Sequence, residues 1–167
     1  MSCQKCLIYP NYHSFVNFGM QGTTRLFYTS PARATDTNKD GTKLENFKKH
    51  LLDTKGEPWI WFLDCNGMTA KDYANINFCM DLLKTLSTQY SDTLKDIIFI
   101  NPNIWVKTTV ATCKKMSTSK IFDKVKMLEG SPLELFLMYE KLGIPQAPLK
   151  WLISIDAEKV LPPVAPF

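Results

Sequence analysis

The sequence predicts an α/β domain in which a mainly parallel β-sheet is covered by helices. Segments typical of strands and segments typical of helices alternate along the chain, an order that favours parallel strands joined by right-handed crossovers. Residues 58–63 and 97–100 are near-continuous apolar runs, as expected of strands that are buried on both faces. The segments between them carry apolar residues at helical spacing.

Size and composition indicate a single globular domain. The chain has 167 residues, of which 45% are hydrophobic and 22% are charged, values typical of a soluble protein. The net charge of +4 is too small by itself to indicate binding of nucleic acid. We expect an irregular lead-in over residues 1–22, one domain over residues 23–160 and a proline-rich tail over residues 161–167.

Cysteine usage and the apolar runs bear on where the protein resides. The five cysteines are an odd number without the spacing of a disulfide framework, which favours a reducing compartment. The sequence shows no secretory signal and no apolar run of the ~20 residues that a membrane-spanning helix needs. We therefore predict a cytoplasmic protein.

The first half of the domain is predicted as strand, helix and strand. Residues 23–29 are rich in β-branched and aromatic side chains and stop at a proline, which indicates a strand. Residues 42–54 have apolar side chains at helical spacing. The apolar strand 58–63 stops at a polar turn that begins with Asp64.

The second half continues the alternation and ends in proline-rich sequence. Pro132 suits the first turn of a helix, and Gly143 follows where that helix would end. The helix candidates are residues 73–90, 104–116 and 132–142, and the strand candidates are residues 97–100, 120–127 and 151–155.

Two short motifs resemble metal sites without completing them. Residues 36–41 imitate the start of a calcium-binding loop, but Phe47 stands at the twelfth position, where a bidentate glutamate is needed. Cys3 and Cys6 form a C-x-x-C pair whose nearest further ligand is His13, which leaves a structural zinc site one ligand short. We therefore predict no metal site, and we expect the two cysteines to be disordered terminal thiols.

No catalytic constellation is visible in the sequence. His13 and His50 have no nearby serine or cysteine in a hydrolase pattern, and no glycine-rich loop follows a strand. Asp64 follows a buried strand, where α/β enzymes often place reactive groups, but turn capping accounts for it more simply. We therefore predict that the protein is not an enzyme and has no cofactor.

Residues 104–127 carry most of the basic character of the chain. On a helix, Trp105, Thr109, Cys113 and Met116 would share one apolar-to-neutral face. Two interpretations remain open at this point: an ordinary amphipathic surface helix, or a helix that touches lipid and directs its cations to head groups. The lysines are Lys107, Lys114, Lys115, Lys120, Lys124 and Lys126, against the single acid Asp123.

A series of short motifs in a fixed order resembles the CRAL-TRIO lipid-binding family. Its most specific part is an Asn-Pro turn after an apolar strand, followed further along by a Ser-Lys-Ile element. A variant of the family, the BCH domain, occurs in Rho GTPase-activating proteins. The resemblance covers roughly residues 25–144 and is carried by Asp64-x-x-Gly67, Tyr90-Ser91-Asp92, Ile98-Phe99-Ile100-Asn101-Pro102, Val106-Lys107 and Ser119-Lys120-Ile121.

The resemblance implies a sheet floor and a helical wall around an apolar pocket that holds one lipid with its tail inward. It implies that residues 104–116 form a gate helix that admits the lipid at a membrane surface. Lys120 and Asp92 would act near the lipid head group. The implied pocket and gate residues are Phe99, Trp105, Thr109, Cys113 and Met116, and the implied membrane-facing cations are Lys107, Lys114 and Lys115.

The chain also departs from the family pattern. Ser91-Asp92 stands where members that bind phosphatidylinositol have Pro-Glu, and the usual N-terminal helical subdomain is not visible. These departures bring the chain closer to the BCH variant. Two functions stay open: a lipid-binding or lipid-transfer module for a phospholipid such as a phosphoinositide, peripheral to membranes, or a BCH-like protein-interaction domain that pairs with itself or another protein.

Overall fold

The computed structural model describes residues 3–8, 12–34, 43–54, 56–69 and 76–160. Three predicted features lie outside these residues: the polar loop 36–41 with its calcium-like motif, the beginning of the helix predicted from residue 73, and the tail 161–167.

A five-stranded sheet forms the centre of the molecule. The strands lie side by side in chain order, the first pair antiparallel and the other three pairs parallel. This arrangement confirms the predicted α/β fold with a mainly parallel sheet. The strands are β1 Val16–Gln21, β2 Thr24–Thr29, β3 Trp59–Asp64, β4 Leu94–Ile100 and β5 Val125–Leu128.

Helices cover both faces of the sheet. Helices α2, α3 and α4 pack on one face and α5 and α6 on the other, so the sheet separates two apolar cores. Short 3₁₀ turns cover Pro31–Arg33, Leu52–Thr54 and Lys120–Lys124. The helices are α1 Gln4–Ile8, α2 Lys43–Leu51, α3 Ile76–Gln89, α4 Ile104–Met116, α5 Pro132–Lys141 and α6 Gln146–Val160.

Strand β3 shows why its sequence is apolar without a break. Trp59 and Trp61 belong to the core under α2, α3 and α4, whereas Ile60 and Phe62 belong to the core under α5 and α6. Successive side chains of a strand point to opposite faces, and both faces are covered here. All four side chains are buried.

The polar turn after β4 fixes the start of α4. Asn101 has a positive φ of 48°, and its Oδ1 accepts a hydrogen bond from the backbone N–H of Gly130 at 2.9 Å. Asn103 is the N-cap of α4, because its Oδ1 accepts from the backbone N–H of Val106 at 3.0 Å. The predicted helix 104–116 is confirmed with the same bounds.

Three predicted segments differ from the structure. In the strand predicted over 120–127, Lys120–Lys124 form a 3₁₀ turn, and the strand itself is Val125–Leu128. Residues 16–21, expected to be irregular, form β1, whose apolar alternation is broken by a register shift between Asn17 and Gly19. The strand predicted over 151–155 is wrong, because these residues lie within α6. There Leu149 and Leu152 are buried three residues apart, which is a helical spacing. The division into lead-in, domain and tail stays a prediction.

The prediction that the two N-terminal cysteines are disordered thiols is also wrong. Cys3 and Cys6 were expected to be disordered, but they are only 8% and 2% exposed. Cys6 lies on α1, and both thiols lie beside His13.

Candidate functional site

An apolar pocket lies between the sheet and helices α2, α3 and α4. Its volume is about 120 Å³, close to the ~150 Å³ of an engineered apolar cavity that binds benzene. It is smaller than the roughly 300–1,000 Å³ typical of pockets for drug-sized ligands. As it stands, the pocket has room for a short apolar group.

The floor of the pocket is one face of three parallel strands. Trp61 and Leu63 of β3, Ile97 and Phe99 of β4, and Val125 of β5 line it. Within β3 and within β4 these residues are two apart, so they point to the same face. Phe99, named from the family resemblance, therefore lies in the floor.

Helix α4 forms one wall of the pocket. Val106, Thr109, Val110 and Cys113 line it, and their spacing of three and four residues describes one helical face. Thr109 and Cys113 are two of the residues named from the sequence. The buried Val106 packs in a small cluster with Cys65, which orients this end of the helix.

The two other residues predicted for this helical face lie outside the pocket. Trp105 is 60% exposed and Met116 is 62% exposed. The predicted face was rotated, because Val106 rather than Trp105 turns toward the sheet. Ile104, next to Trp105, is 68% exposed as well, so α4 presents large apolar side chains on its outer surface.

The remaining walls come from α2 and α3. Phe47 of α2 and Phe78 of α3 line the pocket with ring centroids 5.7 Å apart. Lys43 lines the same pocket, and its Nζ lies 4.8 Å from the ring centroid of Phe78, within the range of a cation–π contact. Among the described residues that line the pocket, Lys43 is the charged one.

Two cysteine thiols contribute to the apolar character of the pocket. Burial raises the pKa of Cys79 to about 11, with a further rise from Cys113 and an opposing effect of Lys43. Burial also raises the pKa of Cys113. Both thiols are therefore neutral near pH 7 and act as small apolar side chains rather than as nucleophiles.

The two residues predicted for the head group lie away from the pocket lining. Lys120 and Asp92 are both exposed, and neither lines the pocket. It is Lys124 that reaches the turn containing Asp92, where its Nζ donates to the backbone carbonyls of Ser91 and, at 2.6 Å, of Leu94. Their role with a ligand stays a prediction.

The cations predicted to face a membrane have different surroundings. Lys107 pairs with Glu129, with 2.5 Å between Nζ and Oε1. Lys114 and Lys115 are exposed at the end of α4, next to the exposed Met116. The outer surface of α4 therefore combines apolar groups with two accessible positive charges.

Asp64 lies at the end of β3, fully buried and engaged in the turn. Its Oδ1 accepts from the backbone N–H and the side-chain amide of Asn66, at 2.9 and 2.8 Å. Its Oδ2 accepts from the hydroxyl of Tyr28. Burial, reinforced by the charge of Asp64, raises the pKa of Tyr28 far above its ordinary value. This geometry matches the turn-capping interpretation of Asp64.

One family model matches the part of the chain that contains most of the residues lining the pocket. A family model described as the CRAL/TRIO domain matches residues 42–147, which include strands β3 to β5 and helices α2 to α5. The chain belongs to the CRAL/TRIO domain family. The resemblance seen in the sequence is thereby confirmed, and the chain is a domain of a lipid-binding family.

Two larger proteins contain a region similar to this chain. Both are named Rho GTPase-activating protein 1, one from Homo sapiens and one from Mus musculus, and each is 25% identical to this chain over 129 residues. The aligned region covers 76% of this chain and 29% of each relative.

In the part of the chain that the structure describes, no helix is both long and apolar enough to cross a membrane.

Sequence reasoning missed the cation of the pocket and its aromatic partner. Lys43 stands four residues before Phe47, so helical spacing puts the two on one side of α2. That spacing is a signal that the sequence contains. The contact with Phe78 could not be found in this way, because it joins two helices that are distant in sequence.

Proposed function

We propose that this domain binds the apolar chain of a phospholipid in the pocket between the sheet and helix α4. The observation that carries the proposal is the lining: five floor residues and the inner face of α4 present apolar or neutral side chains to one pocket. Each CH₂ group moved from water into such a space contributes about 0.8 kcal/mol. A chain of several CH₂ groups therefore gains enough free energy to be held.

The size of the pocket requires a movement of one wall before a whole acyl chain can enter. A volume of about 120 Å³ accommodates only a short apolar group. We assign this movement to helix α4, because its inner face contributes four residues to the pocket lining while Ile104 and Trp105 on its outer surface are exposed. Its exposed side chains Ile104 and Trp105 then meet lipid while its inner face opens.

Positive charge near the pocket supports an anionic head group. Lys43 lines the pocket and is half-buried, so its ammonium group suits a phosphate at the end of an inserted chain. Lys114 and Lys115, exposed beside Met116, suit the anionic surface of a membrane. From the family resemblance, Lys120 and Asp92 are further candidates for head-group contacts. The domain is thus a peripheral module that takes up or presents a phospholipid such as a phosphoinositide.

The experiment that tests this function offers lipid to the purified chain. Vesicles of phosphatidylcholine alone, and with phosphatidylinositol added, are incubated with the protein, which is then separated and examined by native mass spectrometry. We expect a one-to-one complex with a phospholipid. A protein that stays empty with both vesicle compositions contradicts the proposal.

A second candidate function is a protein-interaction domain that does not exchange lipid. The small volume of the pocket, with aromatic side chains of Trp61, Phe78 and Phe99 around it, favours this alternative. The similar proteins are Rho GTPase-activating proteins, so the partner would belong to that signalling context or be a second copy of this chain. An empty protein that forms dimers in light scattering without added lipid would support it.

A further inference from the structure

Four side chains of types that bind metals lie close together in a buried region outside the proposed lipid pocket. They are Cys3, Cys6, His13 and His50, and their donor atoms all lie within 4.8 Å of one another. They come from three parts of the chain: the segment at α1, the segment before β1, and the last turn of α2. From the sequence the site was counted as one ligand short, and that count is wrong because His50 is the fourth.

The distances between donor atoms suit a tetrahedral metal ion. Nδ1 of His13 lies 3.4 Å from the Sγ atoms of both cysteines, and Nε2 of His50 lies 3.6 Å from Sγ of Cys6. With Zn–S near 2.3 Å and Zn–N near 2.0–2.1 Å, a tetrahedral zinc holds its sulfur and nitrogen ligands about 3.5 Å apart. The two imidazole nitrogens are 2.9 Å apart, so they would separate by a few tenths of an ångström when the metal binds.

The surroundings of the cluster are those of a structural site. Cys3, Cys6 and His50 are buried and His13 is partly buried. The ring of Phe15 stacks on His50, with 5.6 Å between centroids, and shields it from water. Four protein ligands complete a tetrahedron and leave no open position for a substrate, which distinguishes structural from catalytic zinc.

A carboxylate stands behind one of the imidazoles. Oδ2 of Asp53 lies 3.8 Å from Nδ1 of His50, the ring nitrogen that faces away from the cluster. Within the described residues this buried Nδ1 has no hydrogen-bond partner. Metal-ligating histidines usually donate their second N–H to a carboxylate or carbonyl, and a small approach of Asp53 would supply that bond.

We propose that Cys3, Cys6, His13 and His50 bind one Zn²⁺ ion that fastens the N-terminal segment to helix α2. Two thiolates and two imidazoles in a closed tetrahedron are the donor set of structural zinc. Binding displaces the protons of the two thiols, and the ion balances the two negative charges that result. This site lies apart from the lipid pocket, since none of its four ligands lines that pocket.

The test measures metal in the purified full chain and does not depend on lipid. Reduced protein from zinc-supplemented cells is gel-filtered and its zinc is measured by inductively coupled plasma mass spectrometry. We expect about one zinc per chain, as in a closed four-ligand site. Cys6→Ser should lower the zinc content about tenfold or more, whereas the matched control Cys79→Ser, outside the cluster, should keep it.

A second readout covers the case in which Cys6→Ser does not fold. The metal-free wild-type chain is titrated with Co²⁺, and its visible spectrum is recorded. Intense d–d bands of tetrahedral cobalt with thiolate charge-transfer absorption are expected, and Zn²⁺ should displace them. The proposal is overturned if wild-type protein takes up neither metal, if the cobalt spectrum lacks thiolate bands, or if a folded Cys6→Ser variant keeps the wild-type zinc content.

Discussion

At the scale of single residues, charge near the pocket is carried by Lys43 and not by the lysines that the sequence emphasised. Lys43 lines the apolar pocket beside Phe78, whereas Lys120 is exposed outside the lining. The two lysines therefore correspond to two different positions for a lipid phosphate. Their separate replacement distinguishes the structure-based assignment from the family-based one.

Replacement of Lys43 by alanine should weaken the uptake of phosphatidylinositol more than replacement of Lys120. One lysine near an anionic group contributes about 1 kcal/mol, so we expect about a fivefold loss for Lys43→Ala. Lys150→Ala is the control, since this exposed lysine lies on α6 at the other face of the sheet. Uptake is measured by native mass spectrometry after incubation with vesicles. A larger loss for Lys120→Ala would favour the family-based assignment.

The buried Tyr28 hydroxyl makes the fold lose stability as the pH becomes alkaline. Its pKa is raised above the ordinary 10.0, so in the folded state the phenol stays neutral where the unfolded chain has lost its proton. The stabilisation is complete below pH 10 and is lost as the pH rises above that value. Each such tyrosine lowers the free energy of unfolding by about 1.4 kcal/mol per pH unit.

Tyr28→Phe should therefore flatten the loss of stability between pH 10 and 11, as measured by urea unfolding. At pH 7 the same variant should lose about 1–3 kcal/mol, because the buried Asp64 loses a hydrogen-bond donor. Tyr139→Phe is the comparison: burial also raises the pKa of Tyr139, but this variant keeps the bond from Tyr28 to Asp64. An unchanged alkaline slope in both variants would show that the phenols are not kept neutral by the fold.

At the scale of elements, α4 shows what a sequence pattern can and cannot predict. Its bounds were predicted correctly, because Asn103 is a strong N-cap and the apolar spacing is regular. Its inner face was predicted only in part: Thr109 and Cys113 line the pocket, but Val106 takes the place expected for Trp105. Both of these neighbours are apolar, and it is Val106 that packs with Cys65. The orientation of a helix thus depends on tertiary packing that its own sequence does not contain.

The charged end of α4 should set how strongly the domain binds anionic membranes. Lys114→Glu with Lys115→Glu removes two exposed cations beside Met116. Each contributes about 1 kcal/mol near an anionic surface, so partitioning to phosphatidylserine-containing vesicles should fall by tenfold or more. Vesicle sedimentation measures it. Lys141→Glu with Lys150→Glu, the same charge change on the α5 and α6 side, should have little effect, and an equal loss there would contradict the assigned surface.

At the scale of the whole molecule, the parallel sheet and its flanking helices followed from the sequence, but the long-range contacts did not. The apolar run of β3 predicted a strand covered on both faces, and both cores are present. The strand β1 was missed because its alternation breaks at Gly19, where a Cβ would lie 2.5 Å from Pro148. His50 was missed as a fourth ligand because only the folded chain brings α2 to the N-terminal cysteines.

The two proposed sites give the molecule two distinct parts. The cluster around His50 fastens the N-terminal segment to α2, and the pocket uses the other end of α2 through Lys43 and Phe47. Helix α2 therefore contributes to both proposed sites, whereas α4 contributes to the pocket. In the proposed function it is therefore α4 that would open, and α2 would keep its place.

The measurement that tests the central claim most directly compares two threonine variants of α4 by native mass spectrometry. Thr109 lines the pocket and the adjacent Thr108 is exposed on the outer surface, so Thr109→Trp fills the space while Thr108→Trp adds the same side chain outside it. After incubation with phospholipid vesicles, we expect Thr109→Trp to retain about one tenth as much lipid as wild type, or less. A tenfold loss corresponds to about 1.4 kcal/mol of binding free energy. Thr108→Trp should bind lipid as wild type does. Equal lipid binding by both folded variants would contradict a ligand in this pocket.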